Sequence, residues 1–378
     1  MKKNIFIHIG SPKTGSTSIQ GFLSLNYKKL LAEGFYYPNL DEGRNVRDRD
    51  KKSLDIWING GVLHNINSFK VLLKKFNRLK CRNLILSDEA LFDDEGRWYN
   101  KEVKKLLNNY QVKLIVYLRP APSFFASYWQ ELLKYNLAET LEDFITEDIR
   151  YPYYERLLAL KNLILKIKKE NVVLRVFSKK KLFQENLIYD FLNIIKLTNT
   201  NRYIIPLRIN VGIDLISAQK ILYFNKCLRA EINTSSLWYK YFIESSHQRV
   251  SIENSMSKNT HDLIRKKYAG IEGEIAGTLF RRKKLFDEND FNYTYISVNV
   301  EPDILFRLKV RLMVHLYWLI EEPMICLSWL IAQPMICLSW LMAQPMICLS
   351  WLMAQPRVLL RLVLPKTVKK RIKQYLDS

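Results

Sequence analysis

Short apolar runs alternate with amphipathic stretches through the first half of the chain. Residues 4–9 (NIFIHI) form a β-branched run that ends at Gly10. A run with no regular polar face predicts a strand covered on both sides, as in a parallel sheet. Over residues 16–33 the period becomes helical, with Ile19, Phe22, Leu23, Leu30 and Leu31 on one face and Gly34 as the stop. The same alternation predicts helices over 68–80, 99–109, 122–137, 154–169 and 185–197. It predicts strands over 83–87 (NLILS), 112–118 (VKLIVYL) and 171–177 (NVVLRVF). Pro122 falls in the first turn of its helix, where proline is tolerated. Strands separated by helices imply βαβ units, so the expected fold class is α/β, a mainly parallel sheet flanked by helices. After Pro206 the pattern is helical, over 215–230 and 261–276, while 234–257 reads as loop with some helix.

Beyond residue 300 the character changes, which predicts a main domain over 1–300 and a helical, basic, apolar extension over 301–378. Residues 323–333 read PMICLSWLIAQ, and 334–344 and 345–355 both read PMICLSWLMAQ. No charged residue lies between Glu322 and Arg357, and Lys and Arg flank the repeats on both sides. A proline every eleven residues would kink a continuous helix repeatedly. Two readings stand: a membrane-surface anchor whose basic flanks meet anionic headgroups, or a tandem duplication of one short amphipathic unit. Recurrent Gln and Pro argue against a spanning helix.

Composition narrows the class without naming it. Hydrophobic residues make up 48% and charged residues 25% of 378, which supports a packed core and excludes wholesale disorder and a collagen-like chain. A multi-span membrane protein is excluded on the same ground. The net charge of +22 points to anionic partners: phosphate-bearing ligands, acidic glycans, nucleic acid or an anionic membrane surface. Five cysteines (Cys81, Cys227, Cys326, Cys337 and Cys348) are an odd set without CxxC spacing, so a reducing compartment is expected. The apolar run after Lys3 is too short for a leader or an anchor, which makes the expected location cytoplasmic. Lys179, Lys180 and Lys181, between Phe177 and Phe183, read as a solvated turn, and no nucleic-acid partner is expected.

The densest chemistry lies in Gly10-Ser11-Pro12-Lys13-Thr14-Gly15-Ser16-Thr17-Ser18, which follows one predicted strand and opens a helix. In that context backbone N–H groups and the helix N-terminus bind phosphate. A Walker A loop places its Lys after the second Gly, whereas Lys13 precedes Gly15. The loop is therefore shorter and should cradle fewer phosphates. A second element is Arg119, at the end of the 112–118 strand, with Ser127 eight residues on. Open α/β sheets bind ligands at the carboxyl ends of their strands, and an Arg with a hydroxyl suits a second, separate phosphate.

The run IFIHIGSPKTGSTSIQGFL resembles the 5′-phosphosulfate loop of sulfotransferases that use 3′-phosphoadenosine 5′-phosphosulfate (PAPS). VKLIVYLRPAPSFFASYWQELLK resembles their 3′-phosphate strand–loop–helix, with Arg119 and Ser127 at the family's spacing. NVVLRVFSKKKLFQENLIYDFLNII and RINVGIDLISAQKILYFNKCLRA resemble the bacterial carbohydrate-type branch, so the likeness spans residues 4–230. It implies a P-loop NTPase-like sulfotransferase fold, PAPS as co-substrate and no metal. It implies that Lys13 contacts the 5′-phosphate and the bridging oxygen, and that the loop from Pro12 through Thr14, Gly15, Ser16 and Thr17 to Ser18 holds the phosphosulfate. Arg119 and Ser127 would hold the 3′-phosphate. The implied acceptor is a hydroxyl or amine of a carbohydrate or glycolipid, handled at the inner face of a bacterial membrane. One departure is that Arg281-Arg282-Lys283-Lys284 lacks the Gly of the family's late Arg-Lys-Gly loop, so that role is not carried over.

An acceptor must lose a proton to a nearby base. Glu89, after the 83–87 strand, is the first candidate; its other reading is an acidic N-cap. His64 is the second, because an imidazole titrates near neutral pH. His8 should be packed within its strand, and His247, His261 and His315 show no local partner. Tyr151, Tyr153, Tyr154 and Trp129 are candidates for stacking on sugar rings. Two other classes remain open: a P-loop kinase-like nucleotide enzyme, and a catalytically silent nucleotide- or membrane-binding protein of the same fold.

Overall fold

A computed structural model describes residues 2–40, 44–47, 53–146, 151–197, 202–206, 213–228 and 252–291, with positions 307 and 310. The chain divides into Met1–Pro302 and Asp303–Ser378, and every element named below belongs to the first unit. The repeats, the expected helical extension apart from positions 307 and 310, His247 and His315 lie outside the described residues.

In chain order the elements begin β1 (Asn4–His8), α1 (Ser16–Leu25), α2 (Tyr27–Ala32), β2 (Phe35–Tyr36), β3 (Arg44–Arg47) and β4 (Ser53–Ile56). Next come α3 (Ile66–Arg78), β5 (Asn83–Ser87), α4 (Ala90–Asp93), α5 (Lys101–Leu107), β6 (Gln111–Leu118) and α6 (Ala121–Leu133). The series ends with α7 (Leu141–Thr146), α8 (Tyr153–Ile167), β7 (Val172–Val176), α9 (Leu187–Ile194), α10 (Leu215–Leu228) and α11 (Lys258–Phe280). Five strands form one parallel sheet in the order β2-β5-β1-β6-β7, while β3 and β4 make a separate antiparallel pair. The parallel sheet flanked by helices is the α/β class expected from the sequence. Ile5, Ile7, Leu84, Ile85, Leu86 and Leu114 to Leu118 are fully buried, which explains their unbroken apolar runs.

The topology also places a crevice. From β1 the chain turns toward β2 and β5, and from β6 it turns toward β7. The connections diverge between β1 and β6, and ligand sites form beyond the carboxyl ends of such a strand pair.

Several boundaries depart from the periodicity. The helix expected over 16–33 is interrupted at Asn26, whose buried side chain donates to the carbonyls of Phe22 and Ile204 and accepts from the Ile204 amide. Asn26 thereby ties the distant loop residue Ile204 to the point where the first helix ends. The helix expected from residue 68 starts earlier, capped by Asn65, whose Oδ1 accepts from the amides of Asn67 and Ser68. Likewise α11 starts at Lys258 because Ser257 caps it through the Thr260 amide.

Three of the proposed sugar-stacking aromatics are corrected by their burial. Trp129, Tyr151 and Tyr153 are buried, and Tyr153 stacks on Phe124 at 4.1 Å between centroids, so they build the core under α6 and α8. Only Tyr154 of that group is exposed among the described residues. Lys181, in the expected solvated turn, pairs with Asp287 at 2.6 Å and Asp290 at 2.5 Å.

Glu272 on α11 is buried, and desolvation pushes its carboxyl up to about 8, with Arg265 opposing. Because that value lies above the ordinary 4.5, the folded chain keeps a proton that the unfolded chain loses. Its contribution to stability is complete below the lower value and is lost as pH rises through the upper one. Glu272→Gln, which stays neutral, should flatten this decline. Urea unfolding at about pH 5 and about pH 9 should show a smaller fall in stability for the variant than for the wild type. Equal falls would show that Glu272 does not carry the effect.

Candidate functional site

The loop that leaves β1 is shaped by its backbone. The amides of Ile9 and Ser11 donate to the carbonyls of Ile115 and Tyr117, extending the β1–β6 pairing into the crevice. Thr14 Oγ1 then donates to the Ser11 carbonyl at 2.5 Å and closes the turn. Lys13 and Gly15 both have left-handed backbone, at φ 67° and 83°. Gly15 is required twice over, since a Cβ there would sit 2.4 Å from Leu187 Cδ2 on α9. Among the described residues, no backbone carbonyl accepts from the amides of Lys13 through Thr17. These amides, at the N-terminus of α1, form a concavity with positive potential. Ser16 Oγ is buried near Gly10 and meets no hydrogen-bond partner among the described residues, which leaves it able to donate to a ligand.

Two cations flank the concavity. Lys13 Nζ lies 3.2 Å from Glu131 on α6, and Glu131 also binds Lys134 at 2.8 Å. Burial pushes the Lys13 ammonium down from its ordinary value, while Glu131 and the charge of Glu89 push it back up. Arg119 follows β6 and crosses the crevice, its Nη1 donating to the Lys13 carbonyl at 3.0 Å. Its guanidinium lies 5.4 Å from the Phe177 ring centroid, and the Tyr153 hydroxyl donates to its carbonyl at 3.3 Å. Desolvation lowers the Arg119 pKa, against Glu253 and Tyr153, yet a guanidinium remains charged at physiological pH.

The other sequence candidates distribute as follows. Pro12, Thr17 and Ser18 are half-buried in the loop and first turn of α1. Ser127 is half-buried on α6, one turn before Glu131 and on the same face. Glu89 precedes α4 but makes no capping hydrogen bond; Asp88 Oδ1 accepts from the Ala90 amide instead. Glu89 acts on Lys13 through its charge, so it belongs to the same cluster. His64 ends a short turn (Gly60–His64), and its Nδ1 lies 3.8 Å from Asp94, just past the far end of α4 from Glu89. His8 is fully buried against Ser87 Oγ at 2.9 Å, and burial pushes it down to about 3, so it is neutral.

Glu131 and Glu253 were not singled out in the sequence. Glu131 could have been found from the helical spacing Ser127–Glu131. Glu253 could not, because no local pattern ties it to Arg119.

The class these features define is an α/β protein with a glycine-turned loop of open amides after its central strand and a second cation across the switch-point crevice. No protein-family profile matches the chain. No curated protein sequence matches it either. Among solved structures it is similar to a sulfotransferase from Alicyclobacillus acidocaldarius, with 14% identity over 60% of this chain and 92% of that one, at a TM-score of 0.34. It is also similar to a mouse sulfotransferase complexed with PAP, with 13% identity over 73% of this chain and 85% of that one, at a TM-score of 0.28. Likeness at this level decides nothing about the site, which rests on the chain's own residues.

Proposed function

We propose that this chain is a sulfotransferase that moves the sulfuryl group of PAPS to a hydroxyl or amine of a carbohydrate or glycolipid. The observation that carries the reading is the pairing of two anion positions at one crevice: the open amides of Lys13 to Thr17, and Arg119 opposite them. PAPS has matching groups, a phosphosulfate at the 5′ position and a separate phosphate at the 3′ position. The loop's size suits it better than a triphosphate, because Lys13 comes before Gly15 rather than after.

Within this reading each residue has a task. The amides and Ser16, Thr17 and Ser18 hold the 5′ group through charge-assisted hydrogen bonds. Lys13 leaves Glu131 for the bridging oxygen, where negative charge grows as the sulfur–oxygen bond breaks. Glu89 accepts the acceptor's proton while the new sulfur–oxygen bond forms. Arg119 and Ser127 bind the 3′-phosphate, and adenosine 3′,5′-bisphosphate leaves as the second product. The basic flanks of the repeats fit an anionic membrane surface at which a glycolipid acceptor would be met.

Calorimetric titration with adenosine 3′,5′-bisphosphate, and with ATP and magnesium, tests the donor. The bisphosphate should bind in preference to ATP. Arg119→Ala should weaken it by about tenfold to a hundredfold, the value of one charged hydrogen bond. Preference for ATP with magnesium would replace the reading with a kinase-like one. Binding of neither by the folded chain would point to a silent scaffold.

A further inference from the structure

The ground around Arg119 already holds an internal anion. Glu253 lies in a short turn (Ile252–Ser255) that packs on α6, and it is buried at 8% exposure. Its Oε2 accepts a hydrogen bond from Ser123 Oγ, in the first turn of α6 immediately beyond Arg119. Its charge acts directly on the Arg119 guanidinium, opposing the effect of burial there. Two polar atoms in this cluster, Glu253 Oε1 and Arg119 Nε, are buried without a hydrogen-bond partner among the described residues. Glu253 Oε1 is also 3.6 Å from Nε2 of His261, a buried side chain on α11.

A buried carboxylate is stable only beside cations and donors, and here it has one hydroxyl and one imidazole within reach and feels the charge of Arg119. Those are the same groups a phosphate would use. The α6 N-terminus, Ser123 and Arg119 would bind an external anion, but Glu253 faces them first. Two anions cannot share that space without mutual repulsion.

We infer that Glu253 is the specificity-determining residue for the nucleotide's second phosphate, an internal carboxylate held on Ser123 that the 3′-phosphate must displace to settle between Arg119 and the start of α6. The displaced carboxylate moves toward His261, which lies on its other side. The inference rests on the proposed donor reading, in which Arg119 faces the 3′-phosphate. Its consequence is a penalty on every ligand with an anion at that position and none on a ligand that lacks it. A 5′-monophosphate, which occupies only the loop, does not meet Glu253.

The test is calorimetry on the full chain with adenosine 3′,5′-bisphosphate and adenosine 5′-phosphate as probes. Glu253→Gln keeps the shape and a hydrogen bond to Ser123 but removes the charge. It should tighten bisphosphate binding by about tenfold and leave the 5′-monophosphate within about twofold. The gain should vanish when Glu253→Gln is combined with Arg119→Ala. Should Glu253→Gln fold poorly by circular dichroism, Glu253→Ala, which also removes the charge and leaves Ser123 in place, is measured instead and should give the same gain for the bisphosphate alone. An equal gain for both probes would reduce Glu253 to a general electrostatic effect and overturn the inference. So would an unchanged or weakened bisphosphate affinity. If the wild type binds bisphosphate through Arg119 and Glu253→Gln changes nothing, only this inference falls. If Arg119→Ala leaves bisphosphate binding intact, the donor reading falls with it.

Discussion

Lys13→Ala is expected to lower turnover at saturating donor by about a hundredfold or more, the usual cost of losing a charge aimed at a developing anion. The ammonium stands at the lip of the amide concavity, and its partner in this structure is Glu131 at 3.2 Å. Glu131 also binds Lys134, so it can release Lys13 without becoming an unpaired charge. That arrangement keeps the Lys13 side chain in place yet available. Radiolabelled PAPS with a panel of carbohydrate acceptors measures the rate, and calorimetry measures donor affinity separately. A loss confined to turnover, with affinity changed by less than about tenfold, identifies a group that acts mainly in the transition state. Turnover equal to wild type would remove Lys13 from the chemistry and, with it, the assigned direction of sulfuryl departure.

Asp190→Ala should have the largest effect on stability, about 3 kcal/mol or more, because it breaks a buried charge network by removing one partner. Asp190 on α9 is fully buried and accepts from the Tyr117 hydroxyl at 3.0 Å, Arg175 Nε at 3.1 Å and the Phe183 amide at 2.8 Å. Arg175 Nη2 donates to it as well. The network ties β6, β7 and the turn after β7 to the helix whose Leu187 packs over Gly15. Burial and the neighbouring Asp190 charge raise the Tyr117 pKa well above the ordinary value, so the phenol remains a donor. Since a domain's whole stability is about 5–15 kcal/mol, the variant should unfold at a markedly lower urea concentration with its denaturant slope unchanged. A midpoint close to wild type would mean that water replaces the carboxylate at little cost.

Legibility followed sequence distance. β1, β5 and the buried end of β6 were readable because burial leaves unbroken apolar runs there. β7, at the sheet edge and only partly buried, was readable from its valines and leucine around Arg175. The loop of residues 10–18 was readable because strand, glycines, lysine and helix start are adjacent, and the Arg119–Ser127 spacing survives within one strand–loop–helix unit. Helix ends were less readable: Asn26 looks like any polar position in an amphipathic pattern until Ile204 is brought against it. β2, at two residues, and the pair β3–β4 carry too little pattern to be found. His261, expected to have no local partner, lies 3.7 Å from its neighbour Asp262 and 3.6 Å from Glu253, which tertiary packing brings to it.

The sequence by itself determined the α/β class, the glycine- and hydroxyl-rich loop that opens a helix, and the cations Lys13 and Arg119, because each depends on residues close along the chain. The left-handed backbone at Gly15 and its fit against Leu187 came from the tertiary structure. Only the tertiary structure decided which carboxylates answer those cations. Glu131 pairs with Lys13 from α6, Glu253 acts on Arg119 through its charge from a turn late in the chain, and Glu89 arrives at the end of the neighbouring strand. Charges act through space and not along the backbone, so the partners of a cation are set by which elements the sheet order makes neighbours.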